Sequence, residues 1–354
     1  MRVIKTAAMR PLLQLNRDRR DACPTASPRL LGFALALVFS ALPLTAKDWA
    51  EFKPPADKAN GKRIVLLAGD EEYRSEESMP MLAKLLSQRH GFDCTVLFSQ
   101  NPTDGTIDPI NQTNVPGFHL LTDADLVICA FRFRELPDAD MQHLQNYLQT
   151  GKPIIALRTA THAFAYSRNP KSPFAKWGWN SKDWPGGFGQ QVLGETWINH
   201  HGDHGKESTR GVIDGTNAKH PVLRGVTNLW GPTDVYGVIH LQPADTVLVH
   251  GLTLSGMKPD DAPNYAKPLM PLIWVRDYKW DNGKTSRALT STFGAAVDFS
   301  DENFRRLIVN GCFWLTGLDV PGKAEVAFVG EFQPSYFGFG KFKPGLKPAD
   351  LETK

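Results

Sequence analysis

Short apolar blocks along this chain alternate with segments whose apolar residues recur every three to four positions. Residues 63–68 (RIVLLA) form the first block, closed by Gly69-Asp70-Glu71-Glu72-Tyr73-Arg74. A near-continuous apolar run of this length is the pattern of a strand buried on both faces of a parallel sheet. From Ser75 onward, Met79, Leu82, Leu85 and Leu86 share one helical face until Gly91, which predicts a helix with Ser75 as N-cap and Gly91 as its stop. The alternation continues with strands expected over 92–98, 126–131 and 154–157. A second helix is expected over 137–150, with Met141, Leu144, Tyr147 and Leu148 as its buried stripe. Later strands are expected over 246–251, 271–278 and 284–293, and a last helix over 301–315, capped by Ser300 and followed by Gly317. Strands alternating with helices in this way predict a three-layer α/β/α, flavodoxin-like domain with a mostly parallel sheet.

In an open parallel sheet, ligands bind in the crevice beyond the carboxyl ends of the strands. The block at 154–157 gives way abruptly to Arg158, Thr159, Thr161 and His162, a polar cluster that is costly at a buried strand exit unless it has a use. Arg158, Thr159 and His162 are therefore catalytic candidates; the alternative for the first two is capping the next element and pairing with nearby carboxylates. His162 is expected to project into the crevice, where an imidazole suits proton transfer near neutral pH. The same placement brings in Asp70, Glu71, Glu72 and Tyr73 after the first strand and Arg132 after the third. Residues 167–194 carry Trp177, Trp179, Trp184 and Phe188 among glycines and prolines. They form either a wall for the flat faces of sugars or a loop packed on its own aromatics. In GETWINHHGDHG (194–205), three of the chain's ten histidines fall within five positions. His200, His201 and His204 are candidate ligands of a divalent metal such as zinc, although the spacing matches no standard zinc pattern, and hydrogen bonding to a ligand is the alternative. Trp197 in this stretch and Tyr236 in GPTDVYG complete the candidate binding groups. Glu72 with Asp234 is the carboxylate pair that could drive hydrolysis.

Composition changes this picture at the chain's ends. Residues 1–46 hold seven Lys/Arg against two Asp, so the formal net charge of +3 becomes about −2 for the remainder. Nothing in that remainder suggests nucleic-acid binding. The basic stretch, the apolar run at 30–44 and the small residues near Ala46 read as a secretory signal peptide over 1–46, giving a secreted or periplasmic protein with no membrane span after processing. Residues 47–62 read as a linker, 63–318 as the α/β domain, and 319–354 as an extended C-terminal arm lying across the domain or a partner. Past the leader, Cys94, Cys129 and Cys312 are odd in number and lie at no metal-type spacing; they read as small buried hydrophobes.

The stretches LLAGDEEYRSEESMP, RFRELPD, GKPIIALRTATHAF, GETWINHHGDHG, HPVLRGV, GPTDVYGV and GAAVDFSDENFRRLIVNGCFWLTG together resemble the ThuA-like (trehalose-utilisation-like) family, which has the class I glutamine amidotransferase-like fold. The resemblance spans roughly 63–317 and looks closest to a secreted branch. It implies sugar handling, with a link to disaccharides oxidised to keto-sugars. The chain departs from that pattern at two places where better-known members carry histidine: Asp70-Glu71-Glu72-Tyr73, and Gly294-Ala295. No cysteine occupies the turn Leu157-Arg158-Thr159-Ala160, so a glutaminase, which needs a thiolate there, is not expected. The expectation is an enzyme acting on a sugar or oxidised glycoside by acid–base chemistry, metal-assisted or not. A non-catalytic carbohydrate-binding or structural envelope protein is the alternative. The partner expected is a small carbohydrate, and a homo-oligomer is compatible with the sequence.

Overall fold

The computed structural model describes residues 47–352; the leader read at 1–46 lies outside them. The strands are β1 (Trp49–Phe52), β2 (Arg63–Gly69), β3 (Asp93–Phe98), β4 (Leu126–Phe131), β5 (Ile154–Leu157), β6 (Thr209–Ile213), β7 (Leu229–Gly231), β8 (Thr246–Thr253), β9 (Met270–Lys279) and β10 (Thr285–Ser291). The α-helices are α1 (Ser75–His90), α2 (Asp138–Gln149) and α3 (Glu302–Leu315). All ten strands form one sheet, in the order β1-β3-β2-β4-β5-β10-β9-β8-β6-β7. Its centre, β3-β2-β4-β5-β10, is parallel. The far strands β9, β8, β6 and β7, and β1 at the other edge, pair antiparallel.

Alternate residues of the central strands feed two cores, as the period of two requires. Ile64, Leu66 and Ala68 join the side chains of α1 and α3, whereas Val65 and Leu67 join those of α2 and of the aromatic loop after β5. The result is the three-layer α/β/α architecture with a parallel core. The chain order of the parallel strands reverses between β2 and β4, so the topological switch point, where such sheets bind ligands, lies at the exits of these two strands.

Several local expectations change. The segment read as a linker contains β1, whose Ala50 and Phe52 are buried and pair across to β3. Strands β6 and β7 were not anticipated; they are short and lie at the antiparallel edge, where pairing rather than apolar content defines them. The N-cap of α1 is Arg74, in the left-handed region with no side-chain cap bond, and Ser75 is the first helical residue with its hydroxyl unpaired. The C-terminal stop at Gly91 holds: φ is 77°, and a Cβ there would come within 1.9 Å of the Lys58 carbonyl oxygen. The cap of α3 is Asp301, which accepts from the Phe304 N–H at 2.7 Å, and not Ser300.

Residues 319–347 contain no helix or strand and run across the chain's own domain. Arg89 donates to the Phe328 carbonyl (3.0 Å), Arg305 to that of Val326 (2.8 Å), and the Ile107 N–H to that of Leu346 (2.7 Å). The three cysteines are buried and unpaired. Among the described residues, no helix is long and apolar enough to cross a membrane.

Candidate active site

Among the described residues, three non-glycine positions have positive φ: Arg74 (62°), Phe133 (51°) and Arg158 (41°). Each follows one of the adjacent parallel strands β2, β4 and β5. A non-glycine residue held there costs on the order of 1 kcal/mol or more, and such strain concentrates at functional sites. The surroundings fix each one. The Arg74 side chain donates to the Glu71 carbonyl at 2.6 Å. The Phe133 N–H donates to the His162 carbonyl at 2.9 Å, and the Arg158 N–H to that of Phe293 at 3.1 Å. Gly294 must be glycine for this turn to close: its φ is 152°, and a Cβ would lie 2.8 Å from that of Leu157.

The β2 exit is braced from inside. Asp70, 2% exposed, accepts from the N–H groups of Glu72 (2.7 Å) and Tyr73 (3.0 Å) and from the Thr159 hydroxyl (3.2 Å). Burial raises its pKa, partly opposed by those backbone bonds. Glu71 is clamped by Arg132 and by Arg134, which is itself fully buried. Asp70, Glu71 and Thr159, expected to bind or act on a ligand, therefore hold the loop instead. Their own carboxylates and hydroxyl are consumed by neighbours.

Arg158 also turns inward. Its guanidinium lies between the rings of Tyr73 (4.2 Å) and Tyr236 (4.3 Å), donates to the carbonyls of Asp234 (2.9 Å) and Thr292 (2.8 Å), and meets Asp234 Oδ1 at 3.1 Å. Tyr73 and Tyr236, at 1% and 2% exposed, thus form a buried cage around a cation and not the lining expected of them. Asp234 is the hub of the site. His200 Nδ1 meets its Oδ2 at 2.6 Å, and His204 Nδ1 meets its Oδ1 at 3.0 Å. Burial alone would raise the pKa of Asp234. Arg158 and the hydrogen bonds of the two histidines outweigh that and hold it well below the usual carboxylate range. An ionised carboxylate only accepts, so both Nδ1 atoms carry the proton, which leaves each Nε2 for chemistry. His204 Nε2 faces Glu72 Oε1 at 3.4 Å. The expected Glu72–Asp234 carboxylate pair is thus bridged by His204, and both Asp234 oxygens are bonded to histidine. The close approach of this loop depends on Gly202, where a Cβ would sit 3.0 Å from that of Asp234.

His162 lies at the exit of β5, as expected, but is only 3% exposed and packs by its ring against Phe133 (4.9 Å), Trp197 (5.9 Å) and Tyr236 (6.0 Å). Burial, reinforced by the positive charges of Arg132 and Arg158, pushes its pKa well below the ordinary imidazole value. Trp179 and Trp197, both half-buried, continue this wall at 6.0 Å from each other. Trp177 does not: it is 2% exposed and stacks on Phe188 at 5.5 Å in the core. Most of the aromatic loop therefore packs on itself, and only Trp179 reaches the site.

The expected metal triad is also rearranged. His201 Nε2 bonds the Pro268 carbonyl at 2.9 Å, away from its neighbours. His200, His204 and Asp234 instead bring one ligand atom each within 4.8 Å of one another. Two imidazoles and a carboxylate suit a divalent first-row cation such as zinc, while Arg158 on the same carboxylate weakens its pull on a cation. Three contributors escaped the sequence reading. Phe133 bore no signal beyond following a strand. Glu195, within GETW, accepts from His240 and from the N–H groups of Ile239 and His240 and so fixes the next loop. Phe337 of the arm packs 5.1 Å from His204; its signal was the dense aromatic-glycine run YFGFG.

No protein-family model and no curated protein sequence matches the chain. Solved structures do. A ThuA-like protein from Parabacteroides merdae is similar over 83% of this chain and 99% of its own, at 12% identity and a TM-score of 0.45. One from Bacteroides uniformis is similar over 75% and 96%, at 16% identity and a TM-score of 0.45. PurLQS from Thermotoga maritima is similar over 72% and 99%, at 8% identity and a TM-score of 0.35. All three likenesses are of fold, at identities of 8% to 16%.

Proposed function

We propose that this chain is a carbohydrate-active enzyme that opens an oxidised (keto) glycoside by acid–base elimination. The observation that carries the reading is the pair of histidines oriented by one ionised, buried aspartate, with their Nε2 atoms left for chemistry. The resemblance to trehalose-utilisation-like proteins brings in the keto-sugar; the histidine pair supplies groups that such a substrate needs. In a glycoside with a ketone two carbons from the anomeric centre, the intervening C–H is acidic. His200 Nε2 takes that proton and an enolate forms. As the enolate collapses to a C=C bond, the anomeric C–O bond breaks, and His204, acting as the doubly protonated imidazolium between Asp234 and Glu72, gives its Nε2 proton to the departing oxygen. The products are an unsaturated keto-sugar and a free alcohol, with no net oxidation and no water consumed. Arg132, 18% exposed at the rim and paired with Glu71 and Glu72, would supply a fixed cation for the enolate.

Two variants of this reading have their own support. The His200–His204–Asp234 donor set favours a divalent cation, which would supply Lewis-acid stabilisation of the enolate oxygen. Ala295, buried where resembling proteins carry histidine, favours a carbohydrate-binding protein without turnover. Incubating the protein with a keto-disaccharide and its unoxidised parent, with and without chelator, and resolving products by mass spectrometry separates the three. Elimination predicts an enone product and free sugar from the keto form only. A hydrated pair of sugars from the unoxidised parent contradicts it, and loss of the enone with chelator selects the metal variant.

A further inference from the structure

We propose that the C-terminal arm builds an outer aromatic subsite, which selects glycosides whose departing group is itself a ring, such as the second sugar of a disaccharide. The inference rests on the carbohydrate reading above and concerns a segment outside the α/β domain. The His200–His204 pair, with ring centroids 4.7 Å apart, has an aromatic neighbour on each flank: Trp197 at 5.9 Å from His200, and Phe337 at 5.1 Å from His204. The first belongs to the domain's own loop, the second to the arm. Phe337 is 5% exposed, but Tyr336, stacked on it at 4.3 Å, is 46% exposed, and Phe339 is 60% exposed. Phe339 lies 5.1 Å from the Arg132 guanidinium, which also sits 4.7 Å from Phe133, so Arg132 joins the inner wall to the arm.

The arm is fastened on both sides of Tyr336 and Phe337. The Ser335 N–H donates to Glu77 Oε2 at 2.7 Å, and the Gly338 N–H to the Glu72 carbonyl at 2.7 Å. Gly338 has φ 141°, which a side chain would strain. Two large aromatic side chains are thereby held in water beside a polar site, where they bury little area of their own fold. Their flat apolar faces suit the C–H face of a pyranose, and Tyr336 joins the histidine pair through the buried Phe337, which lies 5.1 Å from His204.

The test compares binding of unoxidised trehalose and methyl α-glucoside by isothermal titration calorimetry, in the parent and in the variants Tyr336→Ala and Phe339→Ala. Both side chains are exposed, so the variants should keep the parent's melting temperature. The inference expects the parent to prefer trehalose and the variants to lose about tenfold in trehalose affinity, with methyl α-glucoside unchanged. Equal weakening of both ligands, or no preference in the parent, overturns it. Because the readout is binding, arm-dependent preference without turnover leaves the subsite standing and removes only the elimination chemistry. A parent that binds neither saccharide overturns the subsite and leaves the elimination reading to the keto-disaccharide incubation above.

Discussion

A single buried ion pair sets the electrostatics of the site. Arg158 and Asp234 are 1% and 0% exposed at the side chain, and each relies on the other for compensation. Removing one partner of such a pair leaves an uncompensated buried charge, at a cost of about 3–5 kcal/mol. Asp234→Asn should therefore destabilise the protein by that order in urea denaturation. The double variant Arg158→Gln/Asp234→Asn should lose clearly less than the sum of the singles; simple additivity would show that the pair is not coupled. This pairing also explains how far the site was legible in the sequence. Strand exits are easy to locate, so Arg158, His162, Glu72 and Arg132 could be placed at one; Asp234 follows β7, a strand the sequence does not announce. Whether a polar side chain at an exit faces ligand or protein depends on partners brought from distant segments. Arg158 turned inward because Asp234 and Thr292 supply acceptors, and His201 turned away because the Pro268 carbonyl does. None of these three acceptors can be read from local sequence.

At the scale of elements, the long periodic segments were legible, but the caps at their starts were not. The helix α1 shows why. Its stripe and its Gly91 stop follow from local chemistry, whereas its start is set by the strained Arg74, held by the loop it closes. The same start carries a buried acid. Burial pushes the Glu76 carboxyl up from 4.5 to about 8, against the pull of Arg74. An acid raised in this way keeps its proton in the folded chain after the unfolded chain has lost it. Its contribution to stability is therefore full below about pH 4.5 and is lost as pH rises toward 8. Glu76→Gln removes the titration. The variant should match the parent near pH 4 and exceed it near pH 9 by on the order of a few kcal/mol. Parallel stability–pH curves for the two proteins would place the titration elsewhere. Short edge strands escaped for a different reason: β1, β6 and β7 are defined by partners across the sheet, and their own residues give little periodic signal.

For the molecule as a whole, the parallel order β3-β2-β4-β5-β10 delivers the loops after β2, β4, β5 and β10 to one crevice, and the loop at 199–205 and the arm close over it. The architecture follows from strand and helix alternation, so it was legible; the arm's place on the site was not, because nothing periodic ties it to any element. The central claim is that His200, oriented by Asp234, removes an acidic C–H proton from a keto-glycoside. Deuterium exchange tests it without requiring that the glycosidic bond break. A keto-disaccharide or its methyl glycoside is held with the protein in D2O, and the carbon between the ketone and the anomeric centre is followed by NMR and mass spectrometry. The parent protein should speed exchange at that carbon alone. His200→Ala should reduce the protein-dependent rate by a hundredfold or more with little change in melting temperature, since His200 is a third exposed. Exchange that is no faster than with buffer, or that survives His200→Ala undiminished, would contradict the account.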